Sequence, residues 1–85
     1  MNDLQDLRNK IDEIDKKIAL LFNDRMEIVS KIRDIKKENN LSTYNEEREK
    51  SLINNNKEFV KKEYQEYFVE LEKQILKLSK DYQNK

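Results

Sequence analysis

From Leu4 onward the chain keeps one spacing. Leu4, Leu7, Ile11, Ile14, Ile18, Leu21, Ile28, Ile32 and Ile35 follow one another at steps of three and four, with position 25 the only gap. Residues spaced this way share one stripe of an α-helix, and a seam sustained over more than four heptads predicts a long helix that buries the stripe against another helix. Asp3 is the candidate N-cap, and the helix is expected to run to about Glu38. At 1.5 Å per residue such a helix is about 54 Å long, far longer than a compact chain of this size is wide. The rest of the chain is too short to cover the seam, which predicts that the long helix pairs with its copy in a second chain.

Past this helix the only punctuation is Asn39-Asn40-Leu41-Ser42-Thr43 and Asn54-Asn55-Asn56. The second helix is therefore expected to start near Thr43, whose spacing to Glu46 fits a capping box, and to end at the Asn triplet. A third is expected from about Lys57 to Tyr82, with a looser stripe of Val60, Tyr64, Tyr67, Phe68, Leu71, Ile75, Leu78 and Tyr82. Nothing alternates as a strand does. The pattern predicts an all-α chain of three helices, one long, one short and one medium, forming a single domain over residues 1–85.

Composition changes this picture by what it removes. The 85 residues include no Gly, Pro, Cys, His or Trp. That excludes Ser-His and Cys-His nucleophiles, disulfides, zinc sites built on nitrogen or sulfur, and glycine-rich phosphate loops. The 18 basic and 18 acidic side chains cancel, which argues against a non-specific nucleic-acid binder. The longest apolar run, Ile18 to Phe22, is far too short to span a bilayer, and the polar start at Met1 to Asp3 is unlike a signal peptide. A soluble cytoplasmic protein is the expectation. A chain this short buries a thin margin of apolar surface on its own, which again favours an oligomer.

Arg25 occupies the missing seam position. A guanidinium at a core heptad site is costly to desolvate unless an anion lies against it. The anion is either a carboxylate of the protein, with Arg25 fixing helix register, or a ligand. Lys36, eleven residues on, falls only about 20° around the helix from Arg25 and about 16 Å along it. Arginine is scarce, with Arg8, Arg25, Arg33 and Arg48 against 14 lysines, and its planar fork suits carboxylates and phosphates. Arg8 is about 25 Å from Arg25 along one helix, so the two can meet only if the helix pairs antiparallel with its copy. Ser79 and Gln83, four apart, share a face of the third helix.

Taken in order, these residues resemble the all-helical class of chorismate mutase. The resemblance covers nearly the whole chain. It rests on Leu7-Arg8-x-x-Ile11-Asp12-x-Ile14-Asp15, Arg25, Ile32-x-x-x-Lys36, Asn45-x-x-Arg48-Glu49 and Ser79-x-x-x-Gln83, with steps of 17, 11 and 12 residues from Arg8 to Arg25, Lys36 and Arg48. It implies a monofunctional enzyme of the shikimate pathway that converts chorismate to prephenate for phenylalanine and tyrosine synthesis. It also implies an intertwined antiparallel homodimer in which Arg8 completes the neighbouring subunit's site. By the same resemblance Arg25 and the partner's Arg8 hold the substrate carboxylates, supported by Arg48, and Ser79 lines the carboxylate end. Lys36 and Gln83 are the catalytic pair that donates to the ether oxygen, and Glu49 accepts from the ring hydroxyl. Asn45 replaces the Asp associated with that position. No cofactor and no metal are implied, and neither nucleic acid nor a membrane is an expected partner.

Two alternatives stay open on the residues alone. One is an isochorismate-pyruvate lyase on the same scaffold. The other is a non-catalytic helical dimerisation module in which Arg25 only sets register.

Overall fold

A computed structural model of the chain describes residues 3–42 and 44–85. Three α-helices follow one another: α1 over Asp3–Glu38, α2 over Glu46–Lys57 and α3 over Gln65–Gln83, the last preceded by a single 3-10 turn at Lys62–Tyr64. There is no strand among the described residues, so the all-α expectation holds.

With no Gly or Pro to interrupt it, α1 runs unbroken. Asp3 and Asp6 sit in its first turn, and Lys36 and Lys37 in its last, each opposing the helix dipole. Asp3 is itself helical, not a flanking cap. The helix stops at Asn40, which turns left-handed at φ 56°. The Leu41 N–H then donates to Lys36 O at 2.8 Å and the Asn40 N–H to Lys37 O at 3.3 Å, which is the Schellman pattern for satisfying terminal carbonyls. Asparagine tolerates this conformation better than other side-chain-bearing residues.

The remaining boundaries depart from the expectation. The anticipated cap Thr43 lies outside the described residues, and the N-cap of α2 is Asn45, whose side chain accepts from the Arg48 N–H at 3.1 Å. The Asn triplet does not end α2, which continues through it to Lys57. Interior asparagines cost at most about 0.7 kcal/mol each relative to Ala, and none of these three has a positive φ. Between Lys57 and Gln65 the chain makes tight turns, with Phe59 N–H donating to Asn56 O and Val60 N–H to Lys57 O, both at 3.0 Å. Gln65 Nε2 then donates to the carbonyls of Lys57 and Val60 at 3.0 Å, which ties the turn to the start of α3. The third helix consequently begins at Gln65 and not near Lys57.

Packing is unequal. Helix α3 rests against both α1 and α2, while the backbones of α1 and α2 stand apart among the described residues. The chain extends 58 × 25 × 16 Å with a radius of gyration of 16.3 Å, against about 12 Å for a compact chain of this length. Val29 is the single buried hydrophobic among the described residues. Seam residues from Leu4 to Ile35 remain 40–64% exposed. On α3 the buried positions are Glu72, Ser79 and Gln83, whereas Tyr64, Tyr67, Leu71 and Leu78 of the anticipated packing stripe are exposed. The third helix thus turns a polar face inward, and the apolar surface of the hairpin is left open.

Candidate active site

The gap between α1 and α2, floored by α3, forms a cavity of about 310 Å³. Its α1 wall is Arg25, Val29, Ile32 and Lys36, its α2 wall Asn45, Arg48, Glu49 and Leu52, and its floor Leu76, Ser79, Lys80 and Gln83. Helical spacing explains each wall. Positions 25, 29, 32 and 36 fall within about 60° of arc on α1, as do positions 76, 79, 80 and 83 within about 100° on α3. Seven of the eight sequence-derived candidates, Arg25, Lys36, Asn45, Arg48, Glu49, Ser79 and Gln83, therefore border one space. Arg8 does not. It stands exposed on α1, far from the cavity of its own chain.

Arg25 is half-buried, and its Nη1 donates to the Ser79 hydroxyl, which in turn donates to Ile75 O at 2.9 Å. Ser79 is neutral, and no carboxylate pairs with Arg25 among the described residues. Among the described residues no acid neutralises its charge, and the Ser79 hydroxyl takes one of its five N–H donors. The second anomaly is Gln83, only 8% exposed, whose Oε1 is buried with no hydrogen-bond partner among the described residues. Buried polar atoms are nearly always satisfied, so this one calls for an explanation.

The α2 wall is built by its cap. Asn45 spends its side-chain oxygen on the Arg48 N–H, and its backbone carbonyl accepts from the Glu49 N–H at 3.1 Å. Asn45 thereby starts the helical turn that carries Arg48 and Glu49 to the cavity. Four cations, Arg25, Lys36, Arg48 and Lys80, face one carboxylate, Glu49. In a chain of zero net charge this is a local positive concentration, favourable for a small polyanion.

The sequence missed Lys80, Val29, Leu52 and Leu76 as lining residues. Lys80 was recoverable, because it follows Ser79 and precedes Gln83 by three on the same helix. Its ammonium lies 4.2 Å from the centre of the Tyr44 ring, joining α3 to the segment between α1 and α2. A comparable contact, Arg33 at 5.0 Å over the Tyr82 ring, ties the end of α3 to α1.

The cavity thus gathers four cations, a hydroxyl and a buried amide on an all-α scaffold of three helices. Residues 7–84 match the chorismate mutase type II family, and the chain belongs to that family. It is 38% identical over 53 residues to the T-protein of Haemophilus influenzae, a stretch that is 62% of this chain and 14% of that protein. It is likewise 38% identical over 53 residues to the bifunctional chorismate mutase/prephenate dehydratase of Aquifex aeolicus, covering 62% of this chain and 15% of that protein. The chain thus spans about one seventh of the length of these relatives. No solved structure gives a significant match. No helix of the described residues is long and apolar enough to cross a membrane.

Proposed function

We propose that the chain catalyses the rearrangement of chorismate to prephenate, acting as an antiparallel homodimer with its domain spanning residues 1–85. The observation that carries this reading is the half-buried Arg25, which no carboxylate neutralises among the described residues, in a cavity it shares with Lys36, Arg48 and Gln83. Family membership supplies the substrate class. The reaction is unimolecular and pericyclic, so it needs no nucleophile, and a site without His or Cys lacks nothing it requires.

The residues contribute in two ways. Arg25, oriented by Ser79, and Arg8 of the second subunit grip the two carboxylates, with Arg48 reinforcing the positive field. Holding both ends draws the substrate into its compact reactive conformer, an orientation effect that can amount to several kcal/mol. As the C–O bond breaks, negative charge grows on the ether oxygen, where Lys36 and Gln83 donate. Each fixed donor of this kind is worth on the order of 3 kcal/mol. Glu49 accepts from the ring hydroxyl. Asn45 acts chiefly by building the first turn of α2.

The dimer is supported by the open seam. Covering about ten half-exposed Leu and Ile side chains would contribute on the order of 10 kcal/mol, more than a single chain with one buried hydrophobic can supply. Antiparallel pairing also brings the exposed Arg8 to the other chain's cavity.

The test is product identification after incubating the purified chain with chorismate and, separately, with isochorismate. Prephenate from chorismate is expected. Its absence at high enzyme concentration sinks the proposal, and pyruvate release from isochorismate alone would replace it with the lyase. Subunit exchange tests the shared site: inactive Arg8→Ala and inactive Lys36→Ala dimers, once mixed, should regain activity because one site of the mixed dimer has both residues. No recovery after verified exchange would place Arg8 outside the partner's site.

A further inference from the structure

Lys80 has no role in the scheme above, yet it lines the same cavity, one residue from Ser79 and three from Gln83. It is half-buried, and its ammonium is steadied by the face of Tyr44 at 4.2 Å. Tyr44 is itself held in place, its backbone N–H donating to the Ser42 hydroxyl at 3.2 Å next to the Asn45 cap. It also borders the open hollow that adjoins the cavity past Lys36 and Asn45. A cation over a ring uses only one side of its charge, leaving N–H donors that point away from the ring. No carboxylate pairs with Lys80 among the described residues.

We propose that Lys80 is a further substrate-binding residue of this cavity, a cation held by Tyr44 at the mouth between α2 and α3 that takes one carboxylate of the dianionic substrate. The proposal rests on the chorismate mutase reading. Tyr44 is its positioning residue: the ring fixes where the ammonium stands and joins the segment before α2 to α3. Lys80 acts through charge on binding and not on the breaking bond, so its contribution falls on KM.

The experiment is steady-state kinetics of the full chain and its variants with chorismate, at low and high salt. Lys80→Met should raise KM about tenfold, the loss of one charge-assisted contact, with kcat within about twofold of the parent. It should also flatten the dependence of KM on ionic strength. Lys80→Arg should recover most of the affinity. Tyr44→Leu should raise KM about threefold, in keeping with a partly exposed cation–π contact. The double variant should be no worse than Lys80→Met alone, since the ring acts through the ammonium. An unchanged KM in Lys80→Met, or fully additive effects in the double variant, overturns the proposal while leaving the function intact. Absence of prephenate formation by the parent chain would overturn the underlying reading and this assignment with it.

Discussion

Gln83 gives the sharpest test, because its structural and catalytic consequences should move in opposite directions. Its side chain is 8% exposed and its Oε1 is buried without a partner. An unsatisfied buried acceptor costs about 1–3 kcal/mol. Gln83→Met keeps the length and most of the volume of the side chain and removes the orphaned oxygen. The variant should therefore gain about 1 kcal/mol of stability, the lower end of that range, because the thioether does not reproduce every contact of the amide. In the proposed mechanism the same change deletes a donor to the ether oxygen and should lower kcat by about 100- to 1000-fold. Stability is read from the urea midpoint of the helical circular-dichroism signal, with all samples at one protein concentration because folding of a dimer depends on it. Turnover is read as prephenate formation at saturating chorismate. A variant that loses both stability and turnover would mark Gln83 as a framework residue. One that keeps turnover within threefold would remove it from the chemistry.

Three further outcomes follow from the geometry. Ser79→Ala removes the hydroxyl that orients Arg25 and should raise KM about five- to tenfold with little change in kcat, measured by steady-state kinetics; an unchanged KM would separate the two residues. Asn45→Ala removes the N-cap of α2 and should cost about 1 kcal/mol in urea unfolding, and a loss of less than a few tenths would mean that the cap is not needed to hold that helix. Ile14→Asp places a charge in the middle of the open seam and should abolish the proposed dimer in sedimentation velocity along with most helical signal; a folded, helical monomer would contradict the proposed pairing of the long helices.

What was legible in the sequence was whatever helical periodicity converts directly into geometry. Steps of three and four gave α1 its extent, and the eleven-residue step from Arg25 to Lys36 placed both on one wall of the cavity. The four-residue step from Ser79 to Gln83 did the same for the floor. Boundaries were harder, because asparagine signals are local and ambiguous. Asn40 adopts the left-handed turn that ends α1, yet Asn54, Asn55 and Asn56 continue a helix, and only backbone context separates the two cases. Asn45 was visible as a site residue but not as the cap of α2, since Thr43 offered an equally plausible spacing. Val29 was missed because it lies off the heptad seam, one position past Ile28, yet it is the buried hydrophobic residue of α1. Lys80 was hidden among 14 lysines, and only the ring of Tyr44, brought to it by the fold, distinguishes it.

The near absence of a hydrophobic interior in the single chain reaches into kinetics. With Val29 the one buried apolar side chain among its described residues, a lone chain has almost nothing to nucleate around until it pairs as the proposed homodimer. Its renaturation should then be second order, with a half-time that lengthens as the solution is diluted. Specific activity and helicity should fall together on the same dilution curve, so that concentration, through the law of mass action, would govern whether this protein is folded at all.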